Sequence, residues 1–233
     1  MEELSLNLNI KLPVIRWLAL LTLMLSLSPV SQAIPNDVVE NPRDLVMRTS
    51  QELLQELQNN REAINKDPEL AYRLADKIII PHVDFNLISR IVLGRYWRDA
   101  DEKQRQRFMG EFRQLLTHTY VTAMVTYVDQ ILALSKDVTY LPLRMQEGDD
   151  DVTVRSEIAL EKATKIPVLY SLRMNDAKQW QIYDVSIDGI SLATTYRSSF
   201  GSQVRREGLD VLLQRLAEKN SRYNQQEVIQ TSQ

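Results

Sequence analysis

The side chains able to do chemistry are sparse. His82 and His118 are the two imidazoles of a 233-residue chain that contains no cysteine. Thiol nucleophiles, disulfides, Cys-ligated zinc and iron–sulfur clusters are therefore excluded. Neither histidine has the His-x-x-x-His or Glu-x-x-His companion that sets two metal ligands on one helical face, so capping or hydrogen bonding suits each better. The run Asp149, Asp150, Asp151 lacks the Gly and distal Glu of a calcium loop and reads as a solvated hairpin turn. Asp84, Tyr120 and Asp184 offer an acid/base set of the kind an isomerase or dehydratase pocket uses. Against that, Asp84 also reads as a helix N-cap and Asp184 as a strand-end partner for backbone or Arg. Gly-x-Ser-x-Gly, Gly-x-Gly-x-x-Gly and Walker A sequences are all missing. Reactive constellations are thus thin: no metal ligand or cofactor is expected, and the acid/base set stays open as an alternative.

The elements that would position any site follow from pattern. A 44% hydrophobic, 25% charged composition with 6 Gly and 8 Pro suits a globular core, and 28 basic against 31 acidic residues leave no positive field for nucleic acid. Lys11 and Arg16 precede an apolar run over residues 17–27, followed by Pro29 and by small residues at Ser31 and Ala33. This pattern predicts a signal peptide over residues 1–33, cleaved after Ala33, and an exported protein; the run is too short to span a membrane. A single α+β domain is expected over residues 34–220 and a polar, disordered tail over residues 221–233.

Asn41-Pro42, Asp67-Pro68, Asp84 and Asp101 each open a helix, and Gly94 closes the third. The fourth is expected to run through about Leu134. Its first half has one apolar stripe, with Phe108, Phe112, Leu115 and Leu116. Past Thr119 a second stripe of Tyr120, Met124, Val128 and Leu132 asks for a second apolar neighbour, either core or a bound apolar ligand. From Val138 the period becomes two: Val152, Val154 and Ile158 share a face, as do Ile166, Val168, Tyr170, Leu172 and Met174. Turn residues at 148–150 and 175–178 join about four strands into an antiparallel meander. Asp188-Gly189 ends it, and helix resumes from Ser191 to about Lys219 with a break near Gly208.

Two stretches carry a family resemblance. Pro81-His82-Val83-Asp84-Phe85 with Ser89 to Arg98, Phe108, Phe112, Leu116, Thr119 and Tyr120 form one; Asp184 to Leu192 with Thr194-Thr195-Tyr196-Arg197 and Phe200 form the other. Together they resemble the MlaC (toluene-tolerance Ttg2D) family of periplasmic phospholipid-binding proteins. The resemblance implies an NTF2-like curved antiparallel sheet packed against helices and enclosing acyl chains. It also implies a monomeric periplasmic carrier that moves phospholipid between an outer-membrane lipoprotein–porin complex and an inner-membrane ABC transporter bearing an MCE-domain subunit. The tail-contacting residues it suggests are Val152, Val154, Ile158, Val168, Tyr170 and Leu172 from the sheet. From the helices they are Leu93, Tyr96, Trp97, Leu116, Tyr120, Met124 and Tyr127. Arg90, Arg95 or Arg197 are the groups placed to meet a phosphate. An NTF2-like isomerase or dehydratase, and an interaction protein with a closed core, remain the alternatives to a carrier.

Overall fold

The computed structural model describes residues 39–159 and 164–231; the leader read in residues 1–33 lies outside them. Helix α1, Pro42–Asn59, begins where Asn41 Oδ1 accepts from the Arg43 N–H at 2.9 Å and Pro42 occupies a position that needs no N–H partner. Helices α2 (Arg61–Lys66) and α3 (Glu69–Ile78) follow, and a single 3₁₀ turn over Ile80–His82 carries Pro81. Asp84 Oδ1 accepts from the Leu87 N–H at 2.8 Å and starts α4, Phe85–Leu93. Gly94 closes that helix at φ +55°, a backbone conformation that favours glycine, and a Cβ there would stand close to the Arg197 guanidinium, at 3.2 Å. After α5 (Arg95–Asp99), Asp101 and Gln104 cap each other reciprocally at 2.8 and 3.1 Å to begin α6, Glu102–Thr126.

The expected continuous helix to Leu134 is interrupted: Tyr127 leaves helical geometry and α7 spans Val128–Leu134. Thr126 Oγ1 donates to the Thr122 carbonyl at 2.8 Å, a side-chain bond of the kind that bends helices, within the β-branched sequence Val125-Thr126.

The sheet is an antiparallel meander in the order β1-β2-β3-β4-β5, comprising Val138–Tyr140, Asp151–Ala159, Lys165–Met174, Trp180–Ile187 and Ile190–Ser191. The α+β class is as expected, but the strands among the described residues number five, because Asp188 and Gly189, at φ +51° and +79°, turn the chain back into a two-residue β5. Ser191 then caps α8, Leu192–Glu207. Gly208, at φ +88°, separates α8 from α9, Leu209–Thr231. The polar tail expected from Ser221 is thus helical to Thr231. No Gly or Pro follows Gly208, and the Tyr223 ring stacks on His118 at 5.3 Å, so local propensity and a tertiary contact both extend the helix. One turn earlier, buried Asn220 Nδ2 donates to the Glu111 carbonyl at 2.9 Å and its Oε2 at 2.7 Å, fixing α9 on α6.

Three apolar clusters result. The first joins Val92, Phe108, Phe112, Leu115, Phe200, Leu212 and Leu213 from α4, α6, α8 and α9. Its rings pack as Phe108–Phe112 at 5.4 Å and Phe108–Phe200 at 6.0 Å edge-on. The second gathers Leu57, Ile64, Ala71, Leu74, Ile78, Val121 and Val128. In the third, Leu45 and Val46 of α1 cover Val152, Val154, Leu172 and Trp180 of the sheet.

Candidate functional site

The register of β3 on β4 sets Val168 beside Ile187, Tyr170 beside Val185 and Leu172 beside Ile182, so these six share one sheet face. Between the last two pairs the register shifts, and Tyr183 is the extra β4 residue. Such a bulge increases local twist. Helix α1 covers the β2–β3 part of the face through Leu45 and Val46. Along β4 the face instead borders a cavity of about 380 Å³, within the roughly 300–1,000 Å³ typical of small-molecule sites. Ile182, Val185 and Ile187 form its sheet wall. Phe85 and Ile88 of α4, Phe112, Leu116, Tyr120, Val121 and Met124 of α6, and Leu192, Ala193 and Tyr196 of α8 form its helical walls. Leu53, Ala75, Ile79, Ile80 and Val83 add apolar surface, and Thr117, Tyr183 and Asp184 are the other polar residues on the wall.

The few polar groups on this wall are largely engaged. Asp184 Oδ2 accepts from the Ser191 hydroxyl at 2.6 Å and Oδ1 from the Ala193 N–H at 3.0 Å, which places its charge at the N-terminus of α8. The Tyr183 hydroxyl donates to Asp151 at 2.9 Å. The Tyr120 and Tyr196 hydroxyls are neighbours on the wall, and burial is the main cause that holds both phenols above their ordinary titration range. Among the wall residues Tyr120 and Ile187 are the most exposed, at 42% and 46%, and mark the mouth. Apolar walls with neutral hydroxyls at the opening can enclose a hydrocarbon and leave a polar end outside.

Of the residues suggested by the sequence, Leu116, Tyr120 and Met124 line this cavity, and the others stand elsewhere. Val152, Val154 and Leu172 are closed core beneath α1, with Tyr170 packed beside them and its hydroxyl pushed up to about 12 by burial. Val168 is buried, and Ile158 sits between Val138 and Ile166. Leu93 belongs to the first cluster, with Tyr96 and Trp97 packed against it. The Tyr96 hydroxyl accepts from Arg95 at 2.8 Å, and the Trp97 carbonyl accepts from Arg105 at 2.9 Å. Tyr127 is 56% exposed. Arg90, Arg95 and Arg197 line no part of the cavity. The expected wall from β2 and β3 is thus a helix-covered core, because α1 occupies that half of the face. Sequence reasoning missed the β4 wall, although Ile182, Val185 and Ile187 were open to the same reading of sheet-facing residues. The acid/base set does not assemble either: Asp84 is spent on its cap and Asp184 on Ser191 and Ala193.

His82, on the turn leading into Val83, faces Glu40, Arg48 and Glu52. Burial, reinforced by the Arg48 charge, lowers its pKa below the ordinary 6.5. The stabilisation that goes with a neutral ring is present above that ordinary value and is lost as pH falls through the lowered one. The Glu40 carboxylate, held below its ordinary 4.5 mainly by the hydrogen bond from Arg48, loses its contribution further down the same scale. The urea midpoint is expected to fall between pH 7 and pH 5, and His82→Asn to flatten that fall. An unchanged slope in the variant would assign the effect to other groups.

Comparison with known proteins agrees with this architecture. A model of the MlaC protein family matches residues 47–218. Toluene tolerance protein ttg2D of Pseudomonas putida is 28% identical over 173 residues, covering 74% of this chain and 77% of its own. The intermembrane phospholipid transport system binding protein MlaC of Haemophilus influenzae is 21% identical over 209 residues, covering 88% and 94%. Among solved structures, the phospholipid-binding protein from Ralstonia solanacearum, in complex with a phospholipid, aligns with a TM-score of 0.64 at 26% identity. That alignment covers 79% of this chain and 99% of the other.

Proposed function

The chain belongs to the MlaC family, and from that premise we propose that it binds phospholipid and carries it through the periplasm as a soluble monomer. The observation that carries this reading is the predominantly apolar cavity between β4 and helices α4, α6 and α8, whose Asp184 and Tyr183 are bonded to protein groups and whose exposed Tyr120 stands at its mouth. Support also comes from the relatives, one described as a transport-system binding protein and another solved with a phospholipid.

Each buried methylene is worth about 0.8 kcal/mol, so exposing a sixteen-carbon chain to water costs on the order of 12 kcal/mol and a two-chain lipid about twice that. A carrier removes this barrier if its cavity is about as apolar as a bilayer. Loading and unloading are then nearly balanced, and the direction of flow belongs to the donor and acceptor. In this reading the donor and acceptor are an outer-membrane lipoprotein–porin complex and an inner-membrane ABC transporter with an MCE-domain subunit. No cofactor takes part, the lipid being cargo.

The test is to express the full chain in a Gram-negative host, purify it from the periplasmic fraction and extract it with organic solvent for mass spectrometry. Diacyl phospholipid in stoichiometric amount is expected, on a polypeptide that begins at Ile34. Protein that arrives free of lipid and extracts none from phospholipid vesicles would overturn the reading.

A further inference from the structure

We propose that the Tyr120 and Tyr196 hydroxyls form a collar that reads the ester carbonyls of a two-chain lipid, donating to those carbonyls as the lipid seats. This rests on the carrier reading.

The first support is position. Tyr120 stands on α6 and Tyr196 on α8, both on the cavity wall, and Tyr120 is among the most exposed wall residues. A phospholipid seated with its tails inward places hydrocarbon deepest, ester groups at the opening and phosphate beyond it. The ester oxygens are acceptors without donors of their own, and a phenol is a donor that suits the boundary between apolar and wet surroundings.

The second support is availability. Asp184 and Tyr183, the neighbouring polar groups on the wall, are already bonded to Ser191, Ala193 and Asp151. The Tyr120 and Tyr196 hydroxyls, by contrast, neighbour each other, two neutral groups that can turn to a new acceptor without leaving a charge or a backbone group unpaired. The Tyr196 ring is held edge-on against Phe112 at 5.1 Å and tilted against Phe200 at 5.4 Å, so its hydroxyl has a fixed place; Tyr120 is the freer partner. Phenols are neutral across the physiological range, and burial moves the titration of both still higher, so they remain donors and do not select for headgroup charge.

The collar therefore discriminates against a lipid that has the same chains and headgroup but no carbonyls. The experiment offers purified, lipid-stripped protein vesicles holding equal amounts of diacyl- and dialkyl-phosphatidylethanolamine of matched chain length, and reads the ratio bound by mass spectrometry. The wild-type chain is expected to favour the diester by roughly three- to tenfold, the scale of one or two neutral hydrogen bonds. Tyr120→Phe and Tyr196→Phe should each lower the ratio, and the double variant should bring it to about one. The ratio, unlike total occupancy, is not moved by a merely structural loss of space. A wild-type ratio of one, or an unchanged ratio in the double variant, overturns the collar and leaves the carrier intact. Failure of the wild-type chain to take up either lipid overturns both.

Discussion

Tryptophan at Leu116 or at Val185 is expected to lower bound phospholipid at least tenfold while the protein stays folded. Both residues line the cavity from opposite sides, α6 and β4, and both are only partly buried. An indole at either place fills space that belongs to cargo. Leu116 also touches the first cluster, but both side chains have the open cavity on one side to grow into, so the thermal midpoint should fall by no more than a few degrees. The informative control is Val154→Trp. Val154 is 1% exposed under Leu45 and Val46, so the same indole overpacks a closed core, which typically costs ~1–3 kcal/mol or more. The two substitutions should therefore separate cleanly, one losing lipid and the other losing stability. If Val154→Trp emptied the protein of lipid with no loss of stability, the ligand would lie under α1, against the placement argued above.

The largest loss of stability is expected from Phe108→Ala. The ring is fully buried, stacks on Phe112 and meets Phe200 edge-on, and it joins α6 to α8 at the centre of the first cluster. Truncations of this kind cost about 3–5 kcal/mol, a large share of the roughly 5–15 kcal/mol available to a domain. At about 2–4 °C per kcal/mol for a chain of this size, the midpoint should drop by roughly 6–20 °C. Phe108 is not part of the cavity wall, so the protein that remains folded at low temperature should still load lipid. A midpoint within ~2 °C of wild type would mean that the cluster is far more plastic than its packing implies.

What could be read in advance divides along a physical line. Helix starts at Asn41, Asp84 and Asp101 were plain in the sequence because a cap is a local event, one side chain satisfying a backbone N–H two or three residues on. The sheet-facing sets were plain for the same reason, since alternation is local too. Which part of a face meets a helix and which meets a cavity is a different question: Val154 and Val185 present the same chemistry, and only the path of α1 distinguishes them. The break at Tyr127 and the helix beyond Ser221 depend likewise on contacts distant in sequence, or on a side-chain bond that spacing does not reveal. Leu116, Tyr120 and Met124 were found because a helix apolar on two sides advertises two neighbours, and one of those neighbours is the cavity.

Ile88, Phe112, Val121 and Ala193 belong both to the buried clusters and to the cavity wall. The cavity and the scaffold therefore share atoms, and by mass action anything that occupies the cavity raises the temperature at which the chain melts. A ligand at a hundred times its dissociation constant adds about 2.7 kcal/mol, which for this chain length is roughly 5–11 °C. A preparation carrying mixed loads should melt in two steps, and heat alone would then report what fraction of the molecules is carrying lipid.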